Sequence, residues 1–363
     1  LEAMYPHADI FVRGYGELAL AGLALDQDED IRGVHRAGER DLAEQTEVDL
    51  AMMPSPWLTK VIDIKTQKFV RWESQRGCPF KCGFCQHKEP GARLTKREFA
   101  PERINNEIDL FCEHRVNDIA VLDPIFNASS QSLSILQRFI ANAYTGKLSL
   151  QCRAEMINEE FLDAVEQLNV RLEFGLQTIH RSEGKAVSRN NNIDKVDRVL
   201  REVTKRGINY EITLIYGLPE QSLESFKDTV AWCLEHNVPT IKAFPLMLLR
   251  GTDVANRKHE WGLTESSGSM PVVLSSNTFT FDDWLAMARL SEALKKTEGQ
   301  HPSTIEELER IASTCEVDGT RYSPKPADEI RFRSLSIPSQ TALDGTLVIA
   351  YADRISRMCS IFG

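Results

Sequence analysis

Three cysteines, Cys78, Cys82 and Cys85, stand on one short stretch in the spacing C-x3-C-x2-C. Thiolates are soft ligands that suit iron–sulfur clusters and zinc. A structural zinc takes four closed ligands, and His87 can complete a Cys3His set. No further Cys or His forms an obvious second pair. Bound to a cubane, three cysteines instead leave one iron without a protein ligand. That open position can hold a substrate or cofactor, which a purely electron-carrying cluster does not need. Glycine beside Cys82 lets the loop wrap closely around whatever it binds.

The elements around this loop alternate in type. From about residue 66, strands are predicted over 69–72, 118–122, 148–152, 170–174, 208–215 and 240–247, with β-branched and aromatic residues dominating. Between them lie helical stripes: Ile104, Ile108, Phe111 and Cys112; Leu133, Leu136 and Ile140 behind Ser129; Phe161, Leu162, Val165 and Leu168 behind Asn158. A further stripe of Ile193, Val196, Val199, Leu200 and Val203 ends at Gly207, and Ser222 opens a helix with Phe226, Val230, Cys233 and Leu234. Six βα repeats predict an α/β fold, a parallel sheet covered by helices. Six strands close only partly, and parallel barrels carry their chemistry at the C-terminal strand ends.

The flanks read differently. Residues 1–60 hold a short strand near 7–13, a Gly14–Tyr–Gly16 turn, the start of a helix at 18–23 and an acidic loop at 26–30, then a linker marked by Pro54 and Pro56. Residues 61–251 are the barrel. Residues 252–363 are expected to form an α+β appendage across its open side, with a helix capped by Asp282, a capping box at Ser303–Glu306 and a strand at 346–351.

The cysteine loop, with Phe84 just before its last cysteine, resembles that of the radical SAM superfamily, and the resemblance extends over roughly 65–250. It implies a partial (β/α)6 barrel with the loop after the first strand. It also implies a [4Fe-4S] cluster whose free iron is chelated by S-adenosylmethionine, and an electron transfer that yields a 5′-deoxyadenosyl radical. Phe84 joins the cofactor-binding set on this basis. Asp123 stands where the family binds the cofactor's amino group; an Asp-Pro turn is the alternative. Arg153 can fork onto the methionyl carboxylate, and Glu155 can take ribose hydroxyls or order Arg153; a structural ion pair competes. Period-2 alternation can place Glu173 and Gln177 on the side of Gly175, where Gln177 meets cofactor or substrate or else satisfies loop backbone. Tyr216 can pass a proton or hydrogen atom to a substrate radical, or pack at the barrel end. His180 is the histidine to test as an acid or base. Phe244, Pro245 and Met247 are expected as apolar walls, and Arg250 as a carboxylate contact or a solvated charge.

Residues 1–60 resemble the end of the cobalamin-binding domain that precedes many members, but the D-x-H-x-x-G pattern of some cobalamin sites is absent, and His7 lies in a different context. The chain also resembles radical SAM 1,2-diol dehydratases that deoxygenate aminoglycoside sugars, which points first to a redox-neutral member without cobalamin. The expected reaction is 1,2-diol dehydration of a paromamine-like aminoglycoside during antibiotic biosynthesis. Loss of hydroxide needs an acid–base group, for which Glu155, His180 and Tyr216 are the candidates. A cobalamin-dependent C-methyltransferase is the second reading, and a zinc-stabilised binding module without catalysis the third. Flavodoxin or ferredoxin is the expected electron donor, with a partner dehydrogenase completing deoxygenation.

Composition sets the outer bounds. The 363 residues carry a formal charge of −10, which argues against a nucleic-acid partner and is compatible with a cationic sugar. The five cysteines outside the loop, Cys112, Cys152, Cys233, Cys315 and Cys359, are scattered. That pattern is no disulfide framework and fits a reducing cytoplasm. No run is long and apolar enough to span a bilayer.

Overall fold

The computed structural model describes residues 2, 5–25, 31–46, 48–87, 97–267 and 270–317. The expected strand at 346–351 and Cys359 lie outside them. The described residues divide into two compact units that meet in sequence at Met53 and Pro54. In the first, β1 (Ile10–Val12) and β2 (Val34–Arg36) pair antiparallel around α1 (Glu17–Ala24).

The second unit opens with β3 (Phe69–Trp72), a two-residue ribbon of β4 (Gln75–Arg76) and β5 (Arg97–Glu98), and α2 (Pro101–Glu113). There follow β6 (Asp118–Val121), α3 (Ser132–Ala141), β7 (Lys147–Cys152), α4 (Glu159–Val165) and β8 (Asn169–Gln177). Then come α5 (Arg181–Ala186), α6 (Ile193–Lys205), β9 (Asn209–Tyr216), α7 (Leu223–Glu235) and β10 (Ile241–Pro245). Six strands form one all-parallel sheet in the order β3-β6-β7-β8-β9-β10. Strand order equals chain order, so β3 and β10 are the two edges of a partial barrel.

Alternation divides the sheet into two faces. Leu148, Leu150, Cys152, Val170, Leu172, Phe174, Tyr210, Ile212, Leu214 and Tyr216 are buried. Their face meets the helices: the Trp72 ring stands edge-on to Phe111 of α2 and Phe139 of α3, and Trp72 Nε1 donates to the buried Glu107 at 2.7 Å. The opposite face carries Gln151, Arg171, Glu173, Gly175, Glu211 and Lys242. Burying Ile, Val, Leu and Phe on the helix side contributes roughly 1.5–3 kcal/mol per side chain, which fixes the strand register.

Helix starts follow local chemistry. Asn158 and Ser222 cap α4 and α7 as expected, accepting from Phe161 N and Ser225 N. Ser129 instead closes a turn by accepting from Gln131 N, and α3 begins three residues on, at Ser132. Beyond β10 come α8 (Asp253–Asn256), β11 (Thr264–Glu265), β12 (Val273–Ser275), α9 (Phe281–Lys296) and α10 (Ile305–Ala312). Their caps are Thr280 and Thr304, not Asp282 and Ser303, because those threonine hydroxyls accept the free N–H three residues on. These residues belong to the same unit as the sheet. The Ser291 hydroxyl of α9 donates to Ala243 O of β10 at 2.7 Å, so α9 lies along the last strand.

Candidate cluster and cofactor site

The cysteine loop begins at the end of β3 and is held at both ends. Gly77, immediately before Cys78, has φ +82°, a left-handed value that favours glycine and turns the chain into the loop. Gly83 plays a different part: its N–H donates to Val187 O at 2.7 Å and its carbonyl accepts from Val254 N of α8 at 3.0 Å. Cys85 N donates to Cys82 O at 3.1 Å, closing the turn that carries half-buried Phe84. Gln86 Nε2 reaches Arg250 O at 2.7 Å. The expected role of the Arg250 side chain is thus joined by a backbone role in holding the loop.

Asp123, expected at the cofactor's amino group, is occupied otherwise. It is 0% exposed. Its Oδ1 accepts from Ser74 N at 2.8 Å and Gln75 N at 3.1 Å, and its Oδ2 accepts from the Ser74 hydroxyl. Gln75 Nε2 also donates to Ile125 O at 2.7 Å. The carboxylate ties the β6 loop to the segment entering the cysteine loop, so this geometry corrects the expectation of a free acceptor for an ammonium. Burial pushes its pKa up to about 6 despite those three donors.

Arg153 follows β7. Its guanidinium lies 4.0 Å over the Phe80 ring of the cysteine loop. It meets Glu155 at 3.3 Å and donates to Asn190 O at 3.0 Å. Asn127 clamps its backbone in both directions, at 2.9 Å each way. Glu155 also accepts from Asn192 N at 3.3 Å. This carboxylate orders Arg153 and the α5–α6 connection, and it is not poised as a free acid or base. The Arg153 Nη1 carries no hydrogen bond among the described residues and remains open for a carboxylate.

The end of β8 breaks its own alternation. The ladder to β9 shifts between Gly175 and Gln177, and Gln177 takes φ +69°. Its carboxamide folds back over Gly175, where a Cβ would lie 2.7 Å from Gln177 Nε2. The buried Gln177 Oε1 has no hydrogen-bond partner among the described residues. Beside it, Arg189 donates from Nη2 to Gly175 O and from Nη1 toward Cys82 Sγ at 3.6 Å.

Two expected catalytic residues face away. Tyr216 is 5% exposed and packs between Phe226 of α7 and Trp284 of α9, with ring centroids 5.8 and 5.7 Å distant. That is the helix side of β9, a packing position. His180 lies 3.7 Å from Asp228 of α7, again on the helix side. Phe244 and Lys242 share the opposite face of β10, whereas Met247 bridges antiparallel to Val272.

The thiols fit a cluster better than a single ion. Cys82 is buried, and Cys78 and Cys85 are half-buried. Burial first, then the neighbouring cysteines, raises the Cys78 and Cys85 thiols, Cys85 to about 11. Such a donor set needs a shared cationic centre to become thiolate. Among the described residues no three His, Cys, Asp or Glu side chains converge on one metal-ion position. Zinc requires that convergence at about 2.3 Å, whereas a cubane spreads its three thiolates over three irons. His87 donates its backbone N–H to Cys85 Sγ at 3.4 Å. The orphaned Gln177 Oε1 and open Arg153 Nη1 supply polar groups near the loop for an organic cofactor.

Residues 72–233 match the sequence model of the radical SAM superfamily. Among curated proteins, the chain is 27% identical over 262 residues to 2-(S-pantetheinyl)-carbapenam-3-carboxylate methyltransferase of Streptantibioticus cattleyicolor, covering 64% of this chain and 38% of that protein. It is 27% identical over 260 residues to the cobalamin-dependent radical SAM methyltransferase TokK of Streptomyces tokunonensis, with the same coverage, 64% and 38%. The chain thus spans well under half the length of these relatives. Among solved structures, the methyltransferase TsrM of Kitasatospora setae aligns with a TM-score of 0.59 at 17% identity, over 74% of this chain and 58% of that one. The cobalamin-dependent enzyme OxsB also aligns at 0.59, with 16% identity over 80% and 50%. The solved structures support the fold, while the two curated relatives are methyltransferases, which backs the second reading of the sequence better than the first. The three-cysteine loop after the first strand of the six-stranded parallel sheet lies within the stretch, residues 72–233, that matches the radical SAM superfamily, whose cofactors are a [4Fe-4S] cluster and S-adenosylmethionine.

Proposed function

We propose that the protein is a cobalamin-dependent radical SAM methyltransferase acting on a small molecule. The observation that carries this reading is the 27% identity, over 262 residues, with a carbapenam methyltransferase. When bound, the cluster supplies the electron that cleaves the sulfonium, and cobalamin the methyl group. Within this chain, Cys78, Cys82 and Cys85 hold the cluster. Arg153, stacked on Phe80 and fixed by Glu155, offers its open nitrogen to the cofactor's carboxylate. Gln177 presents its unpaired carbonyl oxygen to a donor on cofactor or substrate. The turn hydrogen bonds of Gly83 keep the loop against α8 and the segment after α5, which limits water at the thiolates.

Cobalamin enters this proposal from the likeness to TokK, which is a cobalamin-dependent methyltransferase. The diol-dehydratase reading rested on a resemblance to such enzymes, on the missing D-x-H-x-x-G pattern and on the acidic charge balance, and no curated relative reported above carries it. The test is product mass. Anaerobically reduced full-length protein is incubated with S-adenosylmethionine, cobalamin and carbapenam-type or aminoglycoside acceptors. A cobalamin-dependent gain of one methyl group supports the proposal. A dehydrated keto sugar formed without cobalamin overturns it. Cys82→Ala should lose iron and release no 5′-deoxyadenosine; retained cleavage would remove the loop from the mechanism.

A further inference from the structure

We propose that Arg189 is a positioning residue for the cluster loop, joining Cys82 to the bulged end of β8 and fixing a positive charge beside one cluster thiolate. This rests on the reading of the three cysteines as cluster ligands. The guanidinium makes two directed contacts, from Nη1 toward Cys82 Sγ at 3.6 Å and from Nη2 to Gly175 O. Its Nε is buried with no hydrogen-bond partner, and among the described residues no carboxylate pairs with it. A half-buried cation without a counter-ion is costly unless an anion is supplied. Ligating thiolates supply one.

The backbone holding Arg189 is set for this. Arg189 N donates to Gly184 O at 2.7 Å, and a Cβ on Gly184 would lie 2.6 Å from Arg189 O. Ser188 takes φ +53° to turn the chain there. Two residues earlier, Val187 O accepts the N–H of Gly83. The segment 187–189 therefore grips the cysteine loop twice, once through backbone and once through the guanidinium. A donor and a fixed charge at a cluster sulfur favour the more reduced, more negative cluster and raise its potential.

The experiment compares wild type, Arg189→Gln and Arg189→Lys as full chains, reconstituted anaerobically. Iron and sulfide are counted, and the midpoint potential is followed by paramagnetic resonance with no S-adenosylmethionine added. The expected result is full iron in wild type, a midpoint shifted negative in Arg189→Gln, and a smaller shift in Arg189→Lys, which keeps charge but not the fork. Should Arg189→Gln fail to fold, Arg189→Met serves instead, removing the charge and both donors at similar side-chain length, with a negative shift again expected. A variant with full iron and an unchanged midpoint overturns the role of Arg189 alone. A wild type that takes up no cluster overturns the cluster reading and this role together.

Discussion

Replacing Asp123 by Asn and by Ala separates a structural carboxylate from one that meets a cofactor. Asp123→Ala strips the acceptor from two backbone N–H groups and one hydroxyl in a site that is 0% exposed. Each buried donor left unmade costs about 1–3 kcal/mol, and the hydroxyl can turn elsewhere, so a loss of about 3–5 kcal/mol is expected. Asp123→Asn keeps Oδ1 for both N–H groups, and its amide can donate to the Ser74 oxygen. It also removes a buried charge. The folded pKa, near 6, lies above the unfolded value of about 3.9, so the folded protein holds this proton more tightly. The associated stability is fully present below pH 4 and is lost as pH rises through about 6, a change of about 3 kcal/mol at 1.36 kcal/mol per unit. Asp123→Asn should therefore stay within about 1 kcal/mol of wild type at pH 7.5, or exceed it, and lack this pH dependence. Anaerobic urea unfolding at pH 5 and 7.5 reads both differences. If Asp123→Asn is as unstable as Asp123→Ala, the hydrogen-bond accounting is wrong. If it folds, fills with iron and no longer binds S-adenosylmethionine, the carboxylate touches the cofactor after all.

Tyr216→Phe should leave turnover within about twofold and lower stability by no more than about 1 kcal/mol, because the ring keeps its place between Phe226 and Trp284; a collapse of turnover with cofactor binding intact would restore the phenol to the mechanism. Arg153→Lys loses the stacking on Phe80 and the planar fork to Glu155, so S-adenosylmethionine binding measured by calorimetry should weaken about tenfold or more; unchanged affinity would make the pair purely structural. Burial, then the facing Glu211, raises the Glu173 carboxyl above its ordinary value. That penalty appears as pH rises through the folded pKa, so Glu173→Gln should raise the unfolding midpoint at pH 8 and lose its advantage toward pH 5. A lower midpoint at pH 8 would show that the charge is needed.

The sequence by itself determined the repeating architecture and the spacing of the three cysteines. Apolar spacing of 3.6 and 2 residues, with side-chain caps at Asn158 and Ser222, depends only on near neighbours, and C-x3-C-x2-C is local by construction. Even the correct side of Tyr216 was legible, because it shares its parity with Tyr210, Ile212 and Leu214. The tertiary structure alone decided what surrounds the loop. The shift at Gly175–Gln177 ends simple alternation, and a single such irregularity redirects every side chain beyond it. It also decided that Asp123 is spent on Ser74 and Gln75, and that Arg189, distant in sequence from Cys82, comes to its sulfur. Such contacts arise from chain crossings whose partners no local pattern encodes, whereas strand and helix periods are written in the residues themselves.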